Sequence, residues 1–320
     1  MSIHQGAVRA AQQGQPLLAA RSRRYGEKVI LGLLWLCGVL SILTTVGIVL
    51  VLFVDAGAFF RSPGVTLWRF LTDTVWQPFG TQTAATFRVG VLPLLAGTLL
   101  VTMIAIAIAV PLGLASAIYL SEYAHARVRK TLKPALELLA GVPTVVLGYF
   151  ALTFMTPLLR GIFGQETVSI FNAASAGIVM GIMIVPTIAS LSEDAMSAVP
   201  RMLREGAYGL GASKRHVVLR VVVPAAISGI VAAIILALGR AIGETMVVAI
   251  AAGGVPNLTA NPFEQIQAMT AYIVQAVGGE APRGSLTYQS IFAVGALLFL
   301  ITFAINIGAQ RFVRRFREVY

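Results

Sequence analysis

The chain has 320 residues, 57% of them hydrophobic and only 12% charged, and a formal net charge of +11. Soluble domains carry about 25% charged residues, so this composition excludes a water-soluble globular protein and indicates a polytopic membrane protein. In that class an excess of cations reports sidedness rather than nucleic-acid binding. Cys37 is the only cysteine, which excludes an internal disulfide and a Cys-based metal site; His4, His125 and His216 are far apart and lie outside the apolar runs.

The first 28 residues are polar and basic. The apolar run that follows, 29–54, is longer than the 7–15 or so residues of a cleavable signal core and reads as a retained span. Segment 55–88 is rich in aromatics (Phe59, Phe60, Trp68, Phe70, Trp76, Phe79) and reads as an extracytoplasmic loop held at the membrane interface by them. Span two falls within 89–120, where Pro111 predicts a kink. A basic link over 121–135 leads to span three at 136–159, with Glu137 at its interfacial start. A short link over 160–172, span four at 173–192 and a polar loop over 193–224 follow. Span five covers 225–252, a second polar segment covers 253–288, and span six covers 289–310 before a basic tail at 311–320.

Six spans put both termini on one side. The termini and the links after spans two and four hold 18 of the 24 Lys and Arg, the other three links hold five, and Arg240 completes the count. The positive-inside rule therefore makes both termini cytoplasmic. No internal repeat is visible.

Span five carries two charges, Arg240 and Glu244. A charge at mid-bilayer costs about 2.5–3.5 kcal/mol on insertion scales. Residues four apart share a face of a helix, so a continuous helix with an Arg240–Glu244 ion pair is expected. Gly239 and Gly243 have the same spacing and are expected to pack a neighbouring helix closely. Two readings of the pair follow: a place in an ion pathway, or a permanent structural pair at a helix interface.

The loop before span five also has internal order. Pro200 suits a helix start, Gly211 suits the position beyond a helix end, and Ser213 can cap a second helix running to Val222. Two short helices over 201–222, ending at Pro224, form a knob. It reads either as an amphipathic segment on lipid or as a docking surface for another protein.

Glu205-Gly206-Ala207, three residues, Gly211, nine residues, Val221-Val222-Val223-Pro224 resembles the EAA loop of ABC-importer permeases, with Gly206, Val221 and Val223 as departures. Leu238-Gly239-Arg240-Ala241-Ile242-Gly243-Glu244-Thr245-Met246 is similar to the signature of the phosphate-specific branch, in the form found in its PstC-type subunit. The stretches Glu137–Gly148, Val110–Gly113 and Tyr119–Tyr123 resemble the same family, and the likeness runs from about Phe70 to the C-terminus.

The resemblance implies an all-α fold of the type I, MetI-like importer class in the bacterial inner membrane, with a permease core over 89–310 and a coupling loop over 193–224. It implies inorganic phosphate as substrate, a PstA-type second permease subunit, a cytoplasmic ATPase dimer and a periplasmic phosphate-binding protein as partners. ATP and Mg would sit on the ATPase. In agreement, no lysine of this chain follows a glycine, so a Walker A loop is absent. Glu205, Gly206, Ala207, Gly211 and Pro224 would couple the ATPase to span five, and Arg240 and Glu244 would line the substrate pathway. In that pathway the pair would exchange partners as the anion arrives. The rival readings are the same architecture for sulfate or molybdate, and a secondary phosphate carrier. A membrane-embedded enzyme is not supported, because no span contains histidine or a carboxylate pair.

Overall fold

The computed structural model describes residues 24–78, 88–279, 281–282 and 284–315; the expectations placed on most of the N-terminal tail, Phe79, Arg283 and 316–320 lie outside them. The chain divides into two units, 1–51 and 52–320. Helix α1, Arg24–Phe60, begins in the first unit, where its apolar side chains are exposed along its length, as suits a lipid-facing span. Among the described residues five helices are long and apolar enough to cross a bilayer, and a sixth crossing is counted if the bent pair Lys214–Ala225 and Ile227–Gly243 is one span.

The core of the second unit is helix α3, Leu92–Ile118, laid against helix α7, Ala173–Ser197. Small residues make the approach close. A Cβ on Gly177 would fall 2.7 Å from Ile104 Cβ, one on Gly181 would fall 2.9 Å from the Ala105 carbonyl oxygen, and one on Gly113 would fall 2.7 Å from Ile188 Cβ. Gly177 and Gly181 are four apart, so one face of α7 is grooved to admit α3. Helix α3 runs through Pro111 and ends in a π-helical turn, Tyr119–Tyr123.

Several expected boundaries move. Span three does not begin at 136: residues Ala126–Ala140 form a separate helix, α4, with no buried residue. The membrane-length stretch is Thr144–Phe163, made of α5 (Thr144–Phe150), a π-turn (Ala151–Met155) and α6 (Thr156–Phe163). Gly141-Val142-Pro143 causes the shift, since Pro143 disfavours helical geometry in the residue before it. Span four continues past 192 to Ser197, because Glu193 is paired inside the protein rather than solvated in a loop.

The aromatics of 55–88 do not all lie at a lipid interface. Phe59, Phe70 and Trp76 are buried in a core shared with Leu94, Met269 and Tyr272, and of the described members of this group only Trp68 is strongly exposed. The Trp76 and Tyr272 rings meet edge to face at 4.9 Å. A short antiparallel pair, Trp76–Gln77 with Arg88–Val89, is the one strand pair among the described residues. Segment 253–288 is likewise not a plain polar link. It contains helix α13, Met269–Gly279, whose Met269, Ala271 and Tyr272 are fully buried.

The links sort to two ends. At one, Arg204 pairs with Glu122, and Arg129 and Lys133 pair with Glu193. At the other, the Ser169 amide donates to the Phe263 carbonyl at 3.0 Å, and the Thr287 hydroxyl donates to the Pro78 carbonyl at 2.6 Å. The first end is the basic end of the sequence count.

Candidate functional site

Span five is broken where its charges lie. Helix α11, Ile227–Gly243, is 17 residues long, about 25 Å at 1.5 Å per residue, short of a hydrocarbon core of about 30 Å. Glu244 is extended (φ −67°, ψ 133°), and a second short helix, α12, Met246–Ala251, follows. The expected continuous helix with an Arg240–Glu244 ion pair is therefore not formed. The free amides at the start of α12 need acceptors. The Glu244 carboxylate turns forward to supply one, accepting from Met246 N at 3.2 Å and Val247 N at 3.4 Å, so it does not reach back to Arg240. Thr270 Oγ1 holds the break by donating to the Glu244 carbonyl at 2.8 Å.

Arg240, half-buried, has one hydrogen bond among the described residues: its Nη1 donates to Thr187 Oγ1 on α7 at 3.3 Å. Gly148 of α5 receives α12 closely, since a Cβ there would meet the Met246 carbonyl oxygen and Val247 Cα, both at 3.1 Å. Gly239 and Gly243 behave differently. A Cβ on either would meet nothing of this chain within 4 Å, so neither makes the expected close helix approach within this chain. The seam is made instead by Gly177 and Gly181.

Thr187 begins a polar row along α7. Ser190 donates to Glu137 Oε1 at 3.4 Å. Asp194 accepts from Lys133 Nζ at 2.6 Å, and Glu193, 0% exposed, accepts from Lys133 at 2.7 Å and pairs with Arg129. Ser197 donates to Glu193 and accepts from Arg129, each at 2.9 Å. Burial alone would lower the lysine's pKa, but its hydrogen bonds to Asp194 and Glu193, with their charges, outweigh that and raise it above the ordinary value. The pattern Thr187, Ser190, Asp194, Ser197 at helical spacing was visible in the sequence. Placing 193–197 in a loop hides it, since the spacing has meaning only on one continuous helix.

The knob forms as two short helices, α8 (Arg201–Gly209) and α9 (Lys214–Val217), the second running on into a π-turn over Val218–Val222. Gly211 is left-handed (φ 81°) and turns the chain between them. Ser213 precedes the second helix but makes no side-chain cap bond, contrary to expectation. Pro224 lies in a short turn, Val223–Ala225, and the helix over 214–225 meets α11 at 69°, so the knob joins span five through a bend. Leu203 and Ala207 pack inward against Val217 and Val222. Met202 (82%) and Leu210 (92%) are exposed, as are Glu205 and Gly206. Arg204 anchors the knob. It donates to Glu122 at 2.9 Å, to the Val199 carbonyl at 2.6 Å and to the Met196 carbonyl at 2.8 Å. Neither Arg204 nor Glu122 stood out in the sequence, because nothing in their spacing links residues 82 positions apart.

A multi-span helical bundle, with one span interrupted at charged residues and a knob exposing Met202 and Leu210 at its basic end, fits a membrane transport subunit. Residues 109–318 match the family described as "Binding-protein-dependent transport system inner membrane component", and the chain belongs to that family of ABC-importer permeases. It is thus a multi-pass inner-membrane protein of a non-catalytic family. It is 35% identical over 267 residues to "Probable ABC transporter permease protein YqgH" of Bacillus subtilis, covering 83% of this chain and 84% of that one. It is 34% identical over 265 residues to "Phosphate transport system permease protein PstC" of Mesorhizobium japonicum (78% and 79% covered). The protein of the same name in Haemophilus influenzae is 34% identical over 272 residues (78% and 82%). Among solved structures, an inward-facing MetNI methionine ABC transporter matches with TM-score 0.53 at 21% identity, covering 72% of this chain and 95% of that one. A bacterial alginate ABC transporter matches with TM-score 0.60 at 15% identity (92% and 98%). At these identities the structures share the fold.

Proposed function

We propose that this chain is a transmembrane permease subunit of an ATP-driven phosphate importer, with Arg240 in its pathway. The observation that carries this reading is the state of Arg240. It sits at the break of an interrupted span with, among the described residues, no carboxylate partner and one long hydrogen bond to a hydroxyl. A guanidinium carries five donors and binds oxyanions bidentately, so most of its capacity is open to an anion. Glu244 keeps its pathway role in a revised form. It shapes the break by capping α12 and sits one turn from Arg240, which makes it the group that limits how strongly an anion is held.

The relatives named for phosphate transport support phosphate as the substrate. The positive-inside rule makes the basic end cytoplasmic. The knob there would dock a cytoplasmic ATPase dimer through Glu205, Gly206 and Ala207, with Gly211 setting its turn and Pro224 passing motion on. A PstA-type second permease subunit would complete the pathway against the open Gly239/Gly243 face. A periplasmic phosphate-binding protein would deliver the anion at the opposite end. ATP and Mg belong to the ATPase.

The test is uptake of radiolabelled phosphate into proteoliposomes holding the whole complex, with excess sulfate or molybdate as competitors. The reading expects ATP-dependent uptake that neither competitor reduces. Uptake without ATP points to a secondary carrier, and loss to sulfate or molybdate points to another oxyanion.

A further inference from the structure

We infer that the face of α7 carrying Thr187, Ser190, Asp194 and Ser197 lines the inner half of the anion pathway, from Arg240 to the cytoplasmic mouth. This rests on the proposed pathway role of Arg240. The four residues fall at i, i+3, i+7 and i+10, which places them on one side of an α-helix. They also become more exposed towards the basic end: Thr187 and Ser190 are half-buried, and Asp194 and Ser197 are exposed. Off the row, Ile184, Ile188 and Met196 of the same helix are buried in the apolar cores. Thr187 touches Arg240, and Ser190, one turn nearer the basic end, touches Glu137. The row then reaches Lys133 and Arg129.

Ser190 and Asp194 hold Glu137 and Lys133, which with Arg129 and Lys130 help to line a cavity of about 640 Å³ at the basic end; none of the four row residues lines it directly. That volume exceeds what a small oxyanion needs. The charge balance there suits release rather than capture. Arg129, Lys130 and Lys133 are matched by Glu137, Glu193 and Asp194, and two of the three cations are already engaged with carboxylates. An anion leaving Arg240 therefore meets the Thr187 hydroxyl, then the Ser190 hydroxyl already donating to Glu137, and then a lysine already committed to Asp194 and Glu193. Each contact is enough to replace part of its hydration, and none holds it. A route with favourable but weak successive sites lets an ion leave. Lys133 is the positioning cation of this mouth: it fixes Asp194 and Glu193, and through them the end of α7.

The test uses the assembled complex with Cys37 replaced by serine and single cysteines at Ser190, Ser197 and, off the row, Ile182. A charged, membrane-impermeant thiol reagent is applied from the cytoplasmic side. S190C and S197C are expected to react, inorganic phosphate during turnover is expected to slow S190C, and modified S190C is expected to lose phosphate uptake. I182C is expected to keep it. An S190C that does not react, or whose modification leaves uptake intact while S197C behaves the same way, overturns the assignment of the face. The unmodified complex is measured in parallel. If it takes up no phosphate, the substrate reading fails, whereas uptake that survives labelling at both positions rejects only the route.

Discussion

Glu193→Gln removes the charge of a carboxylate that is fully buried at the end of α7 and held by Arg129, Lys133 and Ser197. Losing one partner of a fully buried ion pair costs about 3–5 kcal/mol. Here the loss is smaller, because the Arg129 and Lys133 side chains are 39% and 25% exposed and can be rehydrated. Lys133 also keeps Asp194. The amide retains an acceptor for Arg129, so about 2–3 kcal/mol is expected, between the buried and exposed limits. The assay is a denaturing-detergent titration of the purified chain, followed by near-ultraviolet circular dichroism. A double-mutant cycle with Lys133→Gln isolates the pair, which should show coupling of about 1 kcal/mol or more. A Glu193→Gln protein within about 0.5 kcal/mol of the parent, the range of an ordinary surface change, would refute the claim that this cluster holds helix α4 to α7.

Other outcomes follow from the same geometry. Gly181→Ala should destabilise the chain, since the new methyl meets backbone at 2.9 Å, while Gly239→Ala and Gly243→Ala meet nothing of this chain and should not destabilise it, any loss falling on complex assembly; thermal unfolding of the isolated chain and co-purification of partners separate the two. Hydrogen bonds from Thr259, Asn261 and Asn257 hold the Glu264 carboxyl below its ordinary 4.5. A depressed folded pKa gives stability that is present above 4.5 and lost as pH falls through the folded value. The protection of amides 257–266, with exchange corrected for its intrinsic pH dependence, should therefore fall once the pH is taken below 4.5, and Glu264→Gln should remove that dependence; equal protection above and below 4.5 would contradict it.

The legible part of this protein was its partition between lipid and water. Long apolar runs read as spans and cation counts sort the links, so the membrane-length helices, five among the described residues or six if the bent pair is one span, were legible. The knob was legible because proline and glycine have fixed backbone preferences: Gly211 does take the left-handed turn. The site was half legible. Arg240 and Glu244 were conspicuous as charges in an apolar run, but their spacing presupposed a continuous helix. The break at Glu244 depends on tertiary support, from Thr270 at its carbonyl and from Gly148 beneath α12, and neither residue is near it in sequence. The glycine spacing was legible as a packing device, but within this chain the close seam is made by Gly177 and Gly181, which have no charge beside them in sequence to draw notice. Glu193 was taken for a loop residue for the opposite reason: a charge at a span's edge looks solvated unless its partners, 60 and 64 residues away, are known.

The central claim is that Arg240, which has no carboxylate partner among the described residues, meets the transported anion. Its most direct test is phosphate uptake by complexes carrying Arg240→Lys and Arg240→Gln, each shown to assemble normally. Loss of the bidentate fork should lower uptake by about tenfold or more in the lysine variant, a change of about 1.4 kcal/mol, and the glutamine variant should retain none. Uptake at the parental rate in both would contradict the account.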